Sequence, residues 1–564
     1  MSVEDQSNPP APAVTPFLSR SGGKGTYFAT LLSTVKKWSI LPTTHWNRFS
    51  AILVLAFILR GLGLIAILPP FEGWDEYQHL AYIAHMNESG QVAVLNHTGV
   101  RKKFLEQVVQ YPLPQNMVNQ LGDLGGETYW QYWMNPTQPR HLKTFHFMSL
   151  YEAQQPWLYY WLMSPLYRLS GGIGYVPRTV ALLRFVNVLF GAAAIALILW
   201  WCGKTFTDKR LAALGGLWIV LQPMFLLNTT RVANDPLAIF FGTAAIVWCL
   251  RIAPRRLFLQ LLGIGMVIGL GVLAKPIDLA LVPFVLLDLA IMAGLKRISW
   301  SSAAAGAGGV VVGTVLLTAS YFHFNLVHYQ MLVPLGEALI NRRNGHTLLD
   351  LLNWCQPGPW IHQWLGWWAT NDLWSAGWSF FGPGDCWNYA YEALISLCLL
   401  SLPLALISGR SVFNEPLIAA RCLILCLCVS AAMTYHGLQT RLFTGGIIMT
   451  PPWYNSIALP WFLLLLSAGA AFWWRIRWLR LIALAGPLLF VAVEIHGIAD
   501  VMIPLFAAVP SADWGALKRI ASLHPKGMGP RLMFEIWAAA GGLILWALIS
   551  CLWPQDKPAP APPR

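Results

Sequence analysis

Three acids and a histidine sit within eight residues of the stretch PPFEGWDEYQHLAYI (69–83): Glu72, Asp75, Glu76 and His79. The whole chain of 564 residues holds 25 Asp and Glu against 38 Lys and Arg, so this concentration calls for a cause. A carboxylate so placed can serve as a general base that takes a proton from a hydroxyl nucleophile, or as a ligand to a divalent cation. Pro69 and Pro70 cannot continue a helical hydrogen-bond ladder. A helix restarting near Trp74 would put Asp75 and His79 four apart on one face. The plainer alternative is an acidic first turn complementing the helix dipole, which accounts for one carboxylate and poorly for the cluster.

Further polar groups stand at the ends of other apolar runs. NTTRVANDPLA (228–238) spaces Arg231, Asn234 and Asp235 by three and four, a single polar face if helical. Its alternative is a surface turn in which Asn-Asp-Pro caps the following helix. GVLAKPIDLAL (271–281) carries Lys275 and Asp278, where a lysine either snorkels to the membrane surface or meets a phosphate. YHGLQTR (435–441) adds His436 and Arg441. Acid and base on one membrane face suit a reaction between a phosphate-linked lipid and a nucleophile.

The elements that must position these groups are membrane helices. Hydrophobic residues make up 56% of the chain and charged ones 11%, about half the charge of a soluble protein. Apolar runs of spanning length recur about twelve times, near 50–68, 179–202, 211–228, 235–251, 257–274, 277–294, 303–324, 389–408, 418–435, 456–474, 479–496 and 533–553. With the N-terminus inside, the short inner loops hold Lys204, Lys209 and Arg210; Arg251, Arg255 and Arg256; Lys296 and Arg297; Arg410; and Arg475, Arg477 and Arg480. Every inner loop is basic, so the topology is coherent, and the net charge of +13 needs no nucleic acid to explain it.

That parity puts three long segments outside: 69–178, 325–388 and 497–532. PWLYYWLMSPLYRL (156–169) is too short to span and reads as re-entrant or interfacial. Seven tryptophans in 360–387 form an interfacial belt or a surface that stacks on sugar rings. Cys355 and Cys386 share the second outer loop and are candidates for a disulfide. The other cysteines, including those of CLILCLC (422–428), read as small buried hydrophobes. The expected organisation is a cytosolic tail (1–48), a catalytic module (49–325), a Trp-rich loop (326–388), C-terminal spans (389–553) and a tail (554–564).

An Asp-Glu pair just after the first span, a long first outer loop and an Arg/Asn-Asp turn after the third span resemble the GT-C superfamily of membrane glycosyltransferases. PPFEGWDEYQHLAYI is most similar to the PP-x-x-x-x-DE-x-x-H pattern of the bacterial DUF2142 family, and the resemblance covers roughly residues 50–280. It implies an all-α polytopic GT-C fold in a bacterial inner membrane, with the active site facing the periplasm. The implied reaction moves a single sugar, with inversion, from a polyprenyl-phosphate donor to a glycan, glycolipid or protein acceptor. Asp75 is then the general base, with Glu76 and His79 beside it. Arg231, Lys275, Arg441 and His436 would hold the donor phosphate, and Asn234 and Asp235 would line the site. The one cofactor the resemblance allows is a divalent metal, Mg or Mn, on Glu76 and Asp235. Two rival readings are a polysaccharide polymerase or ligase using lipid-diphosphate glycans and a secondary transporter. The transporter would call for inverted repeats and for ionisable or helix-breaking residues in mid-span, whereas the polar residues here read as lying at span ends.

Overall fold

The computed structural model describes residues 45–253, 256–353, 373–407, 412–415, 417–445 and 452–552. Residues 1–44 and 553–564, Arg255, Arg410, Cys355 and the first part of the Trp-rich stretch lie outside the described residues. The chain is an all-helical, multi-pass membrane protein. Among the described residues the only paired strands are two-residue segments, Pro112–Leu113 and Glu127–Thr128.

Each expected span coincides with helix. The first is α1 (Trp46–Ile67), which ends just before Pro69 and Pro70. After it come α2 (Glu76–Ser89) and α3 (Leu158–Ser170) in the first long loop, then α4 (Val176–Thr205). The third expected span is a broken pair, α5 (Lys209–Leu221) and α6 (Pro223–Thr230), bent by 51°. Then follow α7 (Asp235–Cys249), α8 (Leu257–Ala274), α9 (Leu281–Gly294), α10 (Trp300–Tyr329) and the short α11 (Gly336–Arg343). The C-terminal part holds α12 (Asp385–Ile407), α13 (Ile418–Thr444), α14 (Leu459–Trp474), α15 (Ala485–His496) and α16 (Pro530–Leu552). Nine of the described helices are long and apolar enough to cross a membrane, while α7 and α14 are shorter apolar helices. The run at 156–169 is α3, too short to span. It buries Tyr159, Tyr160 and Met163 and exposes Trp161 and Leu169.

One expectation is corrected. Charged residues do not stand only at span ends: Arg60, Arg184, Asp288, Arg421 and Glu494 fall inside the apolar runs and are buried. They are tolerated because each is paired, Arg60 with Glu494 at 2.7 Å and Arg421 with Asp288 at 2.6 Å. Arg60 has a further task at the α5–α6 break, where Pro223 interrupts the ladder. Its guanidinium donates to the carbonyls of Val220 and Leu221, which the break would otherwise leave without partners.

The backbones of two helices meet directly. Gly265 and Gly269 on α8 face Gly309 and Gly313 on α10, each pair four apart. A Cβ at Gly265 would strike the Val310 carbonyl, and one at Gly313 the Leu262 carbonyl. Small residues at this spacing let helix backbones meet directly within a bilayer.

Candidate active site

The site lies where α1 leaves the membrane region and where α6, α7 and α8 meet it. Asp75 is the last residue before α2 and adopts a left-handed backbone conformation, φ 56°. Aspartate tolerates that region better than most residues, and such outliers concentrate at functional sites. Its carboxylate makes no capping hydrogen bond to the helix. The carboxylate instead accepts a hydrogen bond from the Tyr151 hydroxyl. Burial raises its pKa, against the pull of Tyr151, Arg231 and Lys275 in the other direction. Asp235 adds to the rise as a like charge. A carboxylate whose pKa is raised is a stronger proton acceptor.

Glu76 does something else. Both its oxygens face Arg184 (2.6 and 2.8 Å), and they also accept the backbone N–H groups of Phe71 and Val232. So engaged, it ties the turn before α2 to α4 and to the segment after α6. The expected metal-ligand role does not fit an oxygen pair already filled in this way. Among the described residues no group of three or more His, Cys, Asp and Glu is arranged to hold a metal ion.

Arg231, Asn234 and Asp235 come together, though not on one helix face. Residues 231–234 form an irregular link and α7 begins at Asp235. Arg231 is closely held: it donates to Asn228, to the Trp74 carbonyl and to Asp235 at 2.6 Å, and it lies 5.2 Å from the rings of both Trp74 and Trp453. Asn234 stands at the cap position without a capping bond and donates to the Ala274 carbonyl. Asp235 also receives Lys275 Nζ at 2.6 Å. Burial lowers the pKa of Lys275 and Asp235 holds it up.

Lys275 and His436 share the wall of a cavity of about 460 Å³, with Pro276, Leu335, Met433 and Tyr454. The cavity is largely apolar, and the ammonium stands 4.3 Å from the Tyr454 ring. Arg231 and Arg441 are not among its lining residues. Cys386 is exposed, but with Cys355 outside the described residues the expected disulfide is not reached by the structure.

Several residues of the site carried no signal in the sequence. Glu152, 3% exposed, lies 3.6 Å from His79 Nδ1, and both meet the Tyr160 hydroxyl. Burial and then the Asp75 charge push its carboxyl up to about 8. Burial lowers His79 well below its usual range, so its ring is neutral. Glu72, read from the sequence only as part of the cluster, is fully buried and serves as a tie. Its carboxylate accepts from Tyr129 and from the Ser379 N–H, and its carbonyl accepts the Trp378 N–H. Gly377, at φ 79°, allows this contact, since a Cβ there would stand 2.6 Å from the Glu72 carbonyl oxygen. The tie brings Trp378 onto Tyr77 with ring centroids 5.5 Å apart.

Burial raises Glu72 from 4.5 to about 8. A carboxyl raised on folding adds stability in full below about 4.5, and that stability is lost as pH rises toward 8. Thermal unfolding in detergent should show the wild-type chain losing ground to Glu72→Gln across this window. Parallel profiles of the two proteins would show that Glu72 does not titrate there.

No family model matches the chain, and no curated protein matches it. Among solved structures, ArnT from Cupriavidus metallidurans bound to undecaprenyl phosphate aligns at 14% identity and a TM-score of 0.45. That alignment covers 89% of this chain and 76% of ArnT. The Archaeoglobus fulgidus oligosaccharyltransferase tethered with an acceptor peptide aligns at 11% identity and a TM-score of 0.41, over 81% of this chain and 55% of its own.

Proposed function

We propose that the chain transfers one sugar from a polyprenyl-phosphate donor to an acceptor hydroxyl at the outer face of a bacterial inner membrane. The observation that carries this reading is the joining of two environments. Asp75, a partly exposed base, shares a buried charge cluster with Lys275, and Lys275 also stands on the wall of an apolar cavity. A lipid-linked phosphate needs such a pairing, a cation for the head and an apolar recess for the tail. Asp75 takes the proton of the acceptor hydroxyl as its oxygen attacks the anomeric carbon, and the bond to the phosphate oxygen breaks with its electron pair. One displacement inverts that carbon.

The leaving phosphate gains charge in this step, so Lys275 stabilises the transition state more than the ground state. Arg231 acts through Asp235 and Trp74, which it holds in place. Lys275→Ala should lower turnover about 100-fold, the range for loss of one such donor. The measurement is transfer of labelled sugar from polyprenyl-phosphate donors by the purified protein, with the anomeric configuration of the product read by NMR. Unchanged turnover in Lys275→Ala, or a retained configuration in the wild-type product, would count against the mechanism. The acceptor is a glycan, glycolipid or protein, and transfer of a preassembled glycan from a diphosphate lipid is the second outcome that the same donor panel separates.

A further inference from the structure

A second pocket lies on the same membrane face, away from Asp75. It encloses about 340 Å³, and its polar lining is Asn96 and His97 from the first long loop, His328 and Gln330 at the end of α10, and Arg342 and Arg343 on α11. None of its lining residues is a carboxylate, so two guanidiniums face it with no acid to neutralise them there. Gln330 leaves the end of α10 in a left-handed conformation, φ 54°. That turn presents its carbonyl and side-chain oxygens to Arg342, at 2.6 and 3.2 Å, which fixes one guanidinium at the rim. Directly beside the pocket the surface becomes apolar. Leu326, Val327 and Leu332 are exposed, and further down α10 so are Val315 and Leu316, the last 63% exposed.

From this juxtaposition we infer that the pocket binds the phosphate of an anionic membrane lipid, whose acyl chains lie along the exposed apolar face of α10. A guanidinium held in place, with a second beside it, suits phosphate oxygens better than a point charge does. The apolar face sets the source as a lipid headgroup rather than a free anion: an inorganic phosphate would use only the basic part of the surface. This site does not depend on the proposed reaction, since none of its side chains belongs to the Asp75 cluster or the Lys275 cavity.

The test is retention of phosphatidylglycerol by the full-length protein, read by native mass spectrometry after reconstitution in nanodiscs of phosphatidylcholine with or without phosphatidylglycerol. Arg342→Ala/Arg343→Ala should reduce retention about 20- to 30-fold, from the usual contribution of two cations at an anionic surface. Replacing both with Lys should restore part of it. Arg343 is exposed, so Arg343→Ala alone should reduce retention about fivefold without affecting assembly, and it carries the test if the double variant does not assemble. Equal retention by wild-type and variant proteins overturns the site. Displacement of phosphatidylglycerol by inorganic phosphate at equal concentration overturns the lipid assignment.

Discussion

Asp75→Asn should abolish sugar transfer, by about 100- to 10,000-fold, and leave the protein folded. Asparagine tolerates the left-handed conformation that this position requires. Its side-chain oxygen can still accept from Tyr151, so the turn before α2 keeps its shape. What it cannot do is take a proton from the acceptor as the new glycosidic bond forms. Losing the base should lower the turnover of bound substrates more than the concentration needed for half-saturation, because the substitution leaves the proposed donor contacts, Lys275 and the cavity, untouched. The assay is the same transfer of labelled sugar, with a thermal melt of each preparation. An asparagine variant that transfers at the wild-type rate would remove Asp75 from the reaction and leave the cluster as a structural tie.

Arg184→Met should destabilise the chain by about 3 to 5 kcal/mol, the cost of stripping one partner from a buried ion pair. Glu76 would be left 0% exposed and held only by the N–H groups of Phe71 and Val232. Replacing the whole pair with apolar residues often recovers such losses, but here it should not. Glu76→Leu on top of Arg184→Met leaves those two N–H groups without an acceptor, at about 1 to 3 kcal/mol each. Denaturant or thermal unfolding in micelles of the single and double variants decides the matter. Full recovery in the double variant would show that Glu76 serves Arg184 alone and does not hold the backbone.

The positions of the helices could be read from the sequence because length and hydropathy suffice for that. Asp75 and Lys275 stood out because charges at the end of an apolar run are conspicuous. The pairings could not. Arg184 lies within a run that reads as one more span, and nothing local connects it with Glu76, 108 residues earlier. Tyr151 and Glu152 sit in a loop with no period to mark which side chains turn inward. Glu76 was misread for a related reason: adjacency to Asp75 suggested shared chemistry, whereas the helix start sends the two carboxylates in different directions. Arg231 shows the same limit, its charge being visible but not the three partners to which it donates.

The glycine seam between α8 and α10 has a mechanical consequence. Two helices in backbone contact have little freedom to slide or splay, so they behave as a stiff plate. Lys275 stands at the end of one and Gln330 at the end of the other, and the plate holds both at a fixed separation. Of the cavity lining, Lys275 follows directly on α8 and Val333–Leu335 follow Gln330 by a few residues, whereas Met433 and His436 of α13 lie outside the plate. A seam of four glycines thereby fixes where the cation of that cavity stands.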